Sequence, residues 1–162
     1  MTKKLLLISS FVLLTSCFSG LYAQKLKGNK KAVEASIENH KQELIALSDS
    51  VWALAETAFQ EKGSSKILAD YAEKNGFKVV RGVAGIPTAF TATYGSGSPV
   101  ISILGEFDAL PGISQKAQPE KEPLNAGAAG HGCGHNLFGT ASLAAAISIK
   151  ELLEAGKLSG TV

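Results

Sequence analysis

The sequence predicts an α/β fold, a sheet covered by helices, on three observations. Near the amino end apolar residues recur at helical spacing, residues 100–104 form a nearly continuous apolar run, and an alanine-rich apolar helix follows. Apolar residues are 45% of the 162 and charged residues 19%, a balance that supports a buried core and argues against disorder. The length suits one domain. Seventeen glycines and five prolines raise the share of turns and of places where backbone passes close to other atoms.

The first segment reads as an export signal over residues 1–23. Lys3 and Lys4 form a positive leader, residues 5–14 are apolar, and small residues follow. A membrane span needs about 20 apolar residues, more than this run supplies. Two processing sites compete: Ala23 before Gln24 suits ordinary signal peptidase, and Leu14-Thr15-Ser16-Cys17 resembles the box before a lipidated cysteine, which would make Cys17 a lipid anchor. The expected location is therefore periplasmic or secreted, with membrane attachment as a lipoprotein the alternative. Losing Lys3 and Lys4 from 16 basic residues leaves 14 against 14 acidic ones. That neutrality argues against nucleic acid or an anionic membrane surface as partner. The lysines at 25, 27, 30 and 31 are read as a solvated leader.

Over 32–59, Leu44, Leu47, Val51, Leu54 and Ala58 fall in steps of three and four, laying one stripe along a helix. A second helix, capped by Ser64 or Ser65 and running to Asn75, carries Ile67, Leu68 and Tyr71 inward, and Gly76 ends it. Residues 77–81 and 88–94 read as strands, with turns at 85–87 and 95–99. The run 100–104 is expected to be the central strand, buried on both faces. Residues 111–134 form a segment longer than most connections in compact domains, a length usually functional or disordered. A helix over 137–155 stops at Gly156, and Gly160-Thr161-Val162 begins another strand.

Ligands of open α/β sheets collect beyond the carboxyl ends of strands, and Glu106 and Asp108 follow the expected central strand directly. The plainer alternative is an aspartate capping a turn. A sharper pattern is His131-Gly132-Cys133-Gly134-His135-Asn136: two of the chain's three histidines flank the one cysteine that follows the leader. Thiolate and imidazole are strong ligands for zinc and similar ions, and the glycines let backbone approach a metal closely. Such a set is incomplete, since structural zinc usually takes four protein ligands. Two other readings stand beside it: a buried free cysteine in a glycine-rich loop, and a nucleophilic Cys133 activated by His131 or His135.

These residues resemble the metal-dependent amidohydrolases, aminoacylases and carboxypeptidases, and within them the p-aminobenzoyl-glutamate hydrolase group. The resemblance runs over 45–162 in five ordered blocks: Trp52-Ala53-Leu54-Ala55-Glu56, Gly76-Phe77-Lys78-Val79, Gly85-Ile86-Pro87-Thr88-Ala89-Phe90, Gly105-Glu106-Phe107-Asp108-Ala109-Leu110-Pro111-Gly112 and the Cys-Gly-His block. It implies a three-layer, zinc-exopeptidase-like catalytic domain, of which residues 24–162 are the amino-terminal part, incomplete at the carboxyl end. It implies Cys133 and His135 as ligands of two divalent ions, zinc or manganese, with Asp108 supporting the site from behind. Glu106 stands where many relatives carry a ligating histidine, so its role is open among ligand, positioning group and neither. His131 remains a further candidate. The implied reaction is hydrolysis of a small-molecule amide, an N-acyl amino acid, by a homodimer when full length. The general-base glutamate of the family is expected outside these residues, which would leave this stretch inactive alone. The competing expectation is a non-catalytic exported half-domain that binds a ligand or is completed by a partner chain.

Overall fold

A computed structural model describes residues 27–162. The export signal, both processing sites and Cys17 lie outside the described residues. Three helices dominate: α1 (Asn29–Leu54), α2 (Lys62–Lys74) and α3 (His135–Glu154). Leu44, Leu47 and Val51 of α1 meet Leu143, Ala144 and Ile147 of α3, with Leu68, Tyr71 and Ala72 of α2 closing the cluster. Small polar residues let the α1 and α3 backbones approach, and each is satisfied: Ser148 Oγ donates to Ser36 Oγ at 3.0 Å and Asn136 Nδ2 to Ser48 Oγ at 3.1 Å. None of the described helices is long and apolar enough to cross a membrane.

The apolar stripe of α1 is buried only as far as Val51. The helix ends at Leu54, where Ala55 turns left-handed (φ 43°) and its N–H closes on the Val51 carbonyl at 3.2 Å. The expected continuation to residue 59 is therefore wrong. The chain leaves the axis because Glu56 and Thr57 are drawn into pairing with Ala109, whose N–H donates to the Glu56 carbonyl at 2.7 Å.

Helix α2 starts at Lys62, and the serines expected to cap it lie inside its first turn, buried. The cap comes from outside the helix. The Glu56 carboxylate accepts from the N–H groups of Gly63 (3.0 Å) and Ser64 (2.8 Å) and from the Ser64 hydroxyl (2.8 Å), which satisfies orphan donors at the positive helix end. Gly76, at φ 83°, ends the element as expected.

Strands β1 (Lys78–Arg81) and β2 (Phe90–Thr93) pair antiparallel around a short 3-10 turn at Val83–Gly85, and α2 packs on this hairpin. Arg81 forks to Asp70 and Glu73 of α2 at 2.8 and 2.6 Å. Strands β3 (Gly95–Ser96) and β4 (Gly160–Thr161) form a second antiparallel pair. The chain passes so closely here that a Cβ on Gly160 would stand 2.4 Å from the carbonyl oxygen of Pro99, just beyond β3, and Gly160 also holds φ 121°.

The expected central strand departs most from its prediction. Residues 100–104 join the rest of the sheet only at Val100 and Ile101, through Thr161, and Val100 and Leu104 are 68% and 71% exposed. Continuous apolarity suits a strand with neighbours on both sides and cover on both faces, and among the described residues neither is complete.

Candidate metal centre

The site forms where the end of this extended segment meets the start of α3. Gly139 makes that approach possible: a Cβ there would lie 2.9 Å from the Glu106 carbonyl oxygen and 3.2 Å from the Phe107 Cβ. One turn on, Ser142 Oγ donates to the Leu104 carbonyl at 2.6 Å. Ala109, buried and bonded to Glu56, fixes the chain just past Asp108. Leu110 and Gly130 then exchange two backbone hydrogen bonds, at 3.0 and 2.9 Å, which bring the long loop back so that 131–135 passes beside the same strand end. Gly134, left-handed at φ 78°, turns the chain into α3 and leaves His135 as its first residue.

Glu106, Asp108 and His135 converge there, each offering a ligand atom within 4.8 Å of the others. His135 Nδ1 stands 2.7 Å from Asp108 Oδ1, and Nε2 stands 3.1 Å from Glu106 Oε2. Each ring nitrogen thus faces a carboxylate oxygen, and the tautomer that carries the proton on Nδ1, donating to Asp108, is the one that would leave Nε2 free for a cation. A carboxylate behind one ring nitrogen and an available lone pair on the other is the arrangement that orients a metal-binding imidazole. The donor set, two carboxylates and one imidazole, fits a divalent cation.

The remaining expected residues fall outside that group. Cys133 is an exposed free thiol and is not among the atoms that converge. His131 turns the other way: its Nε2–H donates to the Val51 carbonyl at 3.1 Å, and Nδ1 is buried with no partner among the described residues. Burial, reinforced by the neighbouring His135, pulls the His131 pKa below its ordinary value against the Val51 bond and Asp108, so the ring is held neutral. His40, the third histidine, belongs to α1 and pairs with α3 instead, its Nε2 at 3.0 Å from Glu151.

Two acids carry more than their place in the sequence suggests. Glu56 belongs to the first resemblance block yet has no role legible there, because a carboxylate that caps a helix seven and eight residues later leaves no local periodic signal. Burial alone would raise its pKa, and the hydrogen bonds from Ser64 and Gly63 overcome this and hold it below the ordinary value. Glu61 is 8% exposed with one oxygen unpartnered among the described residues, and nothing in the pattern of the sequence singles it out.

No family model matches the chain. Over 133 residues, 80% of its length, the chain is 47% identical to one subunit of the p-aminobenzoyl-glutamate hydrolase of Escherichia coli K12, and it covers 27% of that protein. Among solved structures it is similar to an aminohydrolase from methicillin-resistant Staphylococcus aureus, with a TM-score of 0.66 and 24% identity, over 83% of this chain and 33% of that one. It is also similar to a dinuclear metal-binding peptidase of the M20 family from Bacillus subtilis, with a TM-score of 0.59 and 25% identity, over 75% of this chain and 34% of that one.

Proposed function

The chain belongs to the metal-dependent amidohydrolase, aminoacylase and carboxypeptidase family, and from that premise we propose that it supplies metal-binding residues for hydrolysis of the amide bond of an N-acyl amino acid. The observation that carries the proposal is the convergence of Glu106, Asp108 and His135 at a strand end against a helix start. His135 would hold one divalent ion through Nε2, with Asp108 orienting the ring from Nδ1. Cys133, exposed on the loop two residues before His135, would be the thiolate ligand, and Glu106 would be either a further ligand or the group that balances charge beside Nε2. His131 braces the loop through Val51. Bound divalent ions supply Lewis acidity toward the amide carbonyl and lower the pKa of water. The dinuclear relative supports two ions. Thiolate and imidazole suit zinc, while the carboxylates also accept manganese.

The name of the Escherichia coli relative favours an aromatic acyl group on glutamate as substrate and a different subunit as partner, with a homodimer the alternative. The chain spans 27% of that relative's length, so the proton-accepting glutamate is assigned to the part of a full-length enzyme beyond these residues. We further propose export to the periplasm or medium, with Cys17 lipidated if the second processing site is used. The mass of the mature amino terminus decides between the two.

Metal analysis tests the central reading. Loss of bound zinc or manganese is expected in His135→Ala and Cys133→Ser, and Asp108→Asn is expected to weaken binding by about 10–100-fold. Metal content unchanged in the first two would overturn the assignment. A second reading, a non-catalytic half-domain that binds a partner, is favoured by the exposure of Val100 and Leu104. Amidase turnover by residues 24–162 alone, with contamination excluded, would contradict the placement of the proton-accepting glutamate beyond these residues and the non-catalytic reading.

A further inference from the structure

Strand β2 and the extended segment 100–104 both line a cavity of about 350 Å³, to which α2 contributes Leu68 and α3 contributes Leu143 and Ala146. We propose that this cavity is a slot one β-strand wide, and that its occupant is the polypeptide that follows Val162 in a full-length enzyme, running antiparallel to β2 and parallel to 100–104. The proposal stands on backbone geometry and is independent of the metal-binding reading.

The first wall is a strand edge with unused hydrogen-bonding groups. In an antiparallel pair alternate residues direct N–H and C=O toward the partner, and the residues between direct theirs away. Gly82 N–H donates to the Ala89 carbonyl at 2.7 Å, which sets the phase of the β1–β2 ladder. Thr91 and Thr93 therefore bond Val80 and Lys78, and Phe90, Ala92 and Tyr94 face the other way. Tyr94 shows what that outward edge accepts, since it exchanges two hydrogen bonds with Val162, at 2.8 and 2.9 Å. The same groups of Phe90 and Ala92 have no backbone partner among the described residues.

The second wall is in the same state. Thr161 N–H donates to the Pro99 carbonyl and Ile101 N–H donates to the Thr161 carbonyl, both at 2.9 Å, the slanted pattern of a parallel pair. Beyond that point the Ile101 carbonyl and the Ile103 N–H have no backbone partner among the described residues. Thr161 thus bonds one wall and Val162 the other. Continued in the same direction, the first residue past Val162 meets the Ile101 carbonyl and the Ile103 N–H, the second meets Ala92, and the fourth meets Phe90. Each step satisfies groups that stand open without it.

Side chains follow the same alternation. Val162 packs against the helical cluster, and the second and fourth residues past it share its face. They would lie over the apolar lining from Leu68, Leu143 and Ala146, so that face of the occupant is apolar. The chain covers 27% of its Escherichia coli relative, a length that leaves ample polypeptide to supply such a strand.

The experiment appends Thr-Val-Thr-Val to the purified chain and follows amide hydrogen exchange by NMR. The references are the unextended chain and a Thr-Pro-Thr-Pro extension, whose second residue has no N–H to give Ala92. Exchange at Ala92 and Ile103 is expected to slow about tenfold or more with the valine extension and to stay fast with the proline one. Thr91 and Thr93, already bonded to β1, report in every chain that the hairpin is folded. Ala92→Pro in the valine-extended chain removes a slot-facing donor and leaves the β1 bonds in place, so Ile103 is expected to return to its unextended rate. Unchanged exchange at Ala92 and Ile103 with the valine extension, or equal slowing by the proline one, overturns the proposal. Loss of Thr91 and Thr93 protection on valine extension overturns it too, since a strand that fits the slot leaves the hairpin intact. Protection of Ala92 and Ile103 in the unextended chain that disappears on dilution assigns the slot to a second copy, and the proposal falls.

Discussion

Ile147 and Leu104 are similar side chains in opposite circumstances, 2% and 71% exposed, and they stand for two regions of the molecule. Around Ile147 three helices bury one another's apolar faces. Around Leu104 an apolar segment made for a sheet interior lies open, bonded to its neighbours only at its beginning and through Ser142. A helix satisfies its own backbone and needs only another helix's face, whereas an interior strand needs two strands and two layers before its pattern is honoured. Among the described residues the helices cover one another's apolar faces, and the sheet segment is left uncovered.

The sharpest way to break this contrast is Ile147→Ala. Leu44, Leu47, Val51 and Leu143 share its cluster and leave little room to collapse, so the loss is expected at about 2–5 kcal/mol in chemical denaturation. A loss below about 1 kcal/mol would mean that the helical cluster is as loosely held as the open segment.

The same contrast explains what is legible in advance. The spacing of Leu44, Leu47 and Val51 is a property of one helix, so the sequence announces it, and Gly76 and Gly156 mark helix ends by local chemistry alone. The end of α1 is not legible in this way, because its cause, Ala109 bonding to Glu56, lies over fifty residues away. Likewise the run 100–104 has the composition of a buried strand, but burial is a property of its neighbours. At the candidate site Asp108 and His135 are legible as residue types. Their meeting at 2.7 Å is not, since it requires the close passage of backbone over Gly139, and Cys133, equally prominent in the sequence, is exposed outside the cluster.

Glu56 sits on the seam between the regions, capping α2 with its side chain and holding Ala109 with its carbonyl. Glu56→Ala removes only the side-chain half, and the expected cost at neutral pH is about 0.5–2 kcal/mol, the range for a lost helix cap. The pH dependence follows from a carboxyl whose pKa is lowered by folding from 4.5. Such a group stabilises fully above its unfolded value and loses that contribution as pH falls through the lower folded one. Denaturation of wild type and variant should therefore differ at pH 7 and converge as pH falls through the lowered folded pKa. A difference that persists there would show that the cap acts through packing and not through charge.

The smallest effect is expected at Leu104 itself. With the side chain 71% exposed, Leu104→Ser removes little buried area, and the backbone carbonyl that receives Ser142 stays in place, so stability should change by no more than about 0.5 kcal/mol. Self-association should fall instead, because an exposed apolar segment with free backbone donors and acceptors is a template for pairing. Sedimentation of the two chains at equal concentration separates the outcomes. A loss of stability comparable to Ile147→Ala, with self-association unchanged, would mean that the segment is already covered in solution, and the division of the molecule into a closed and an open region would have to be abandoned.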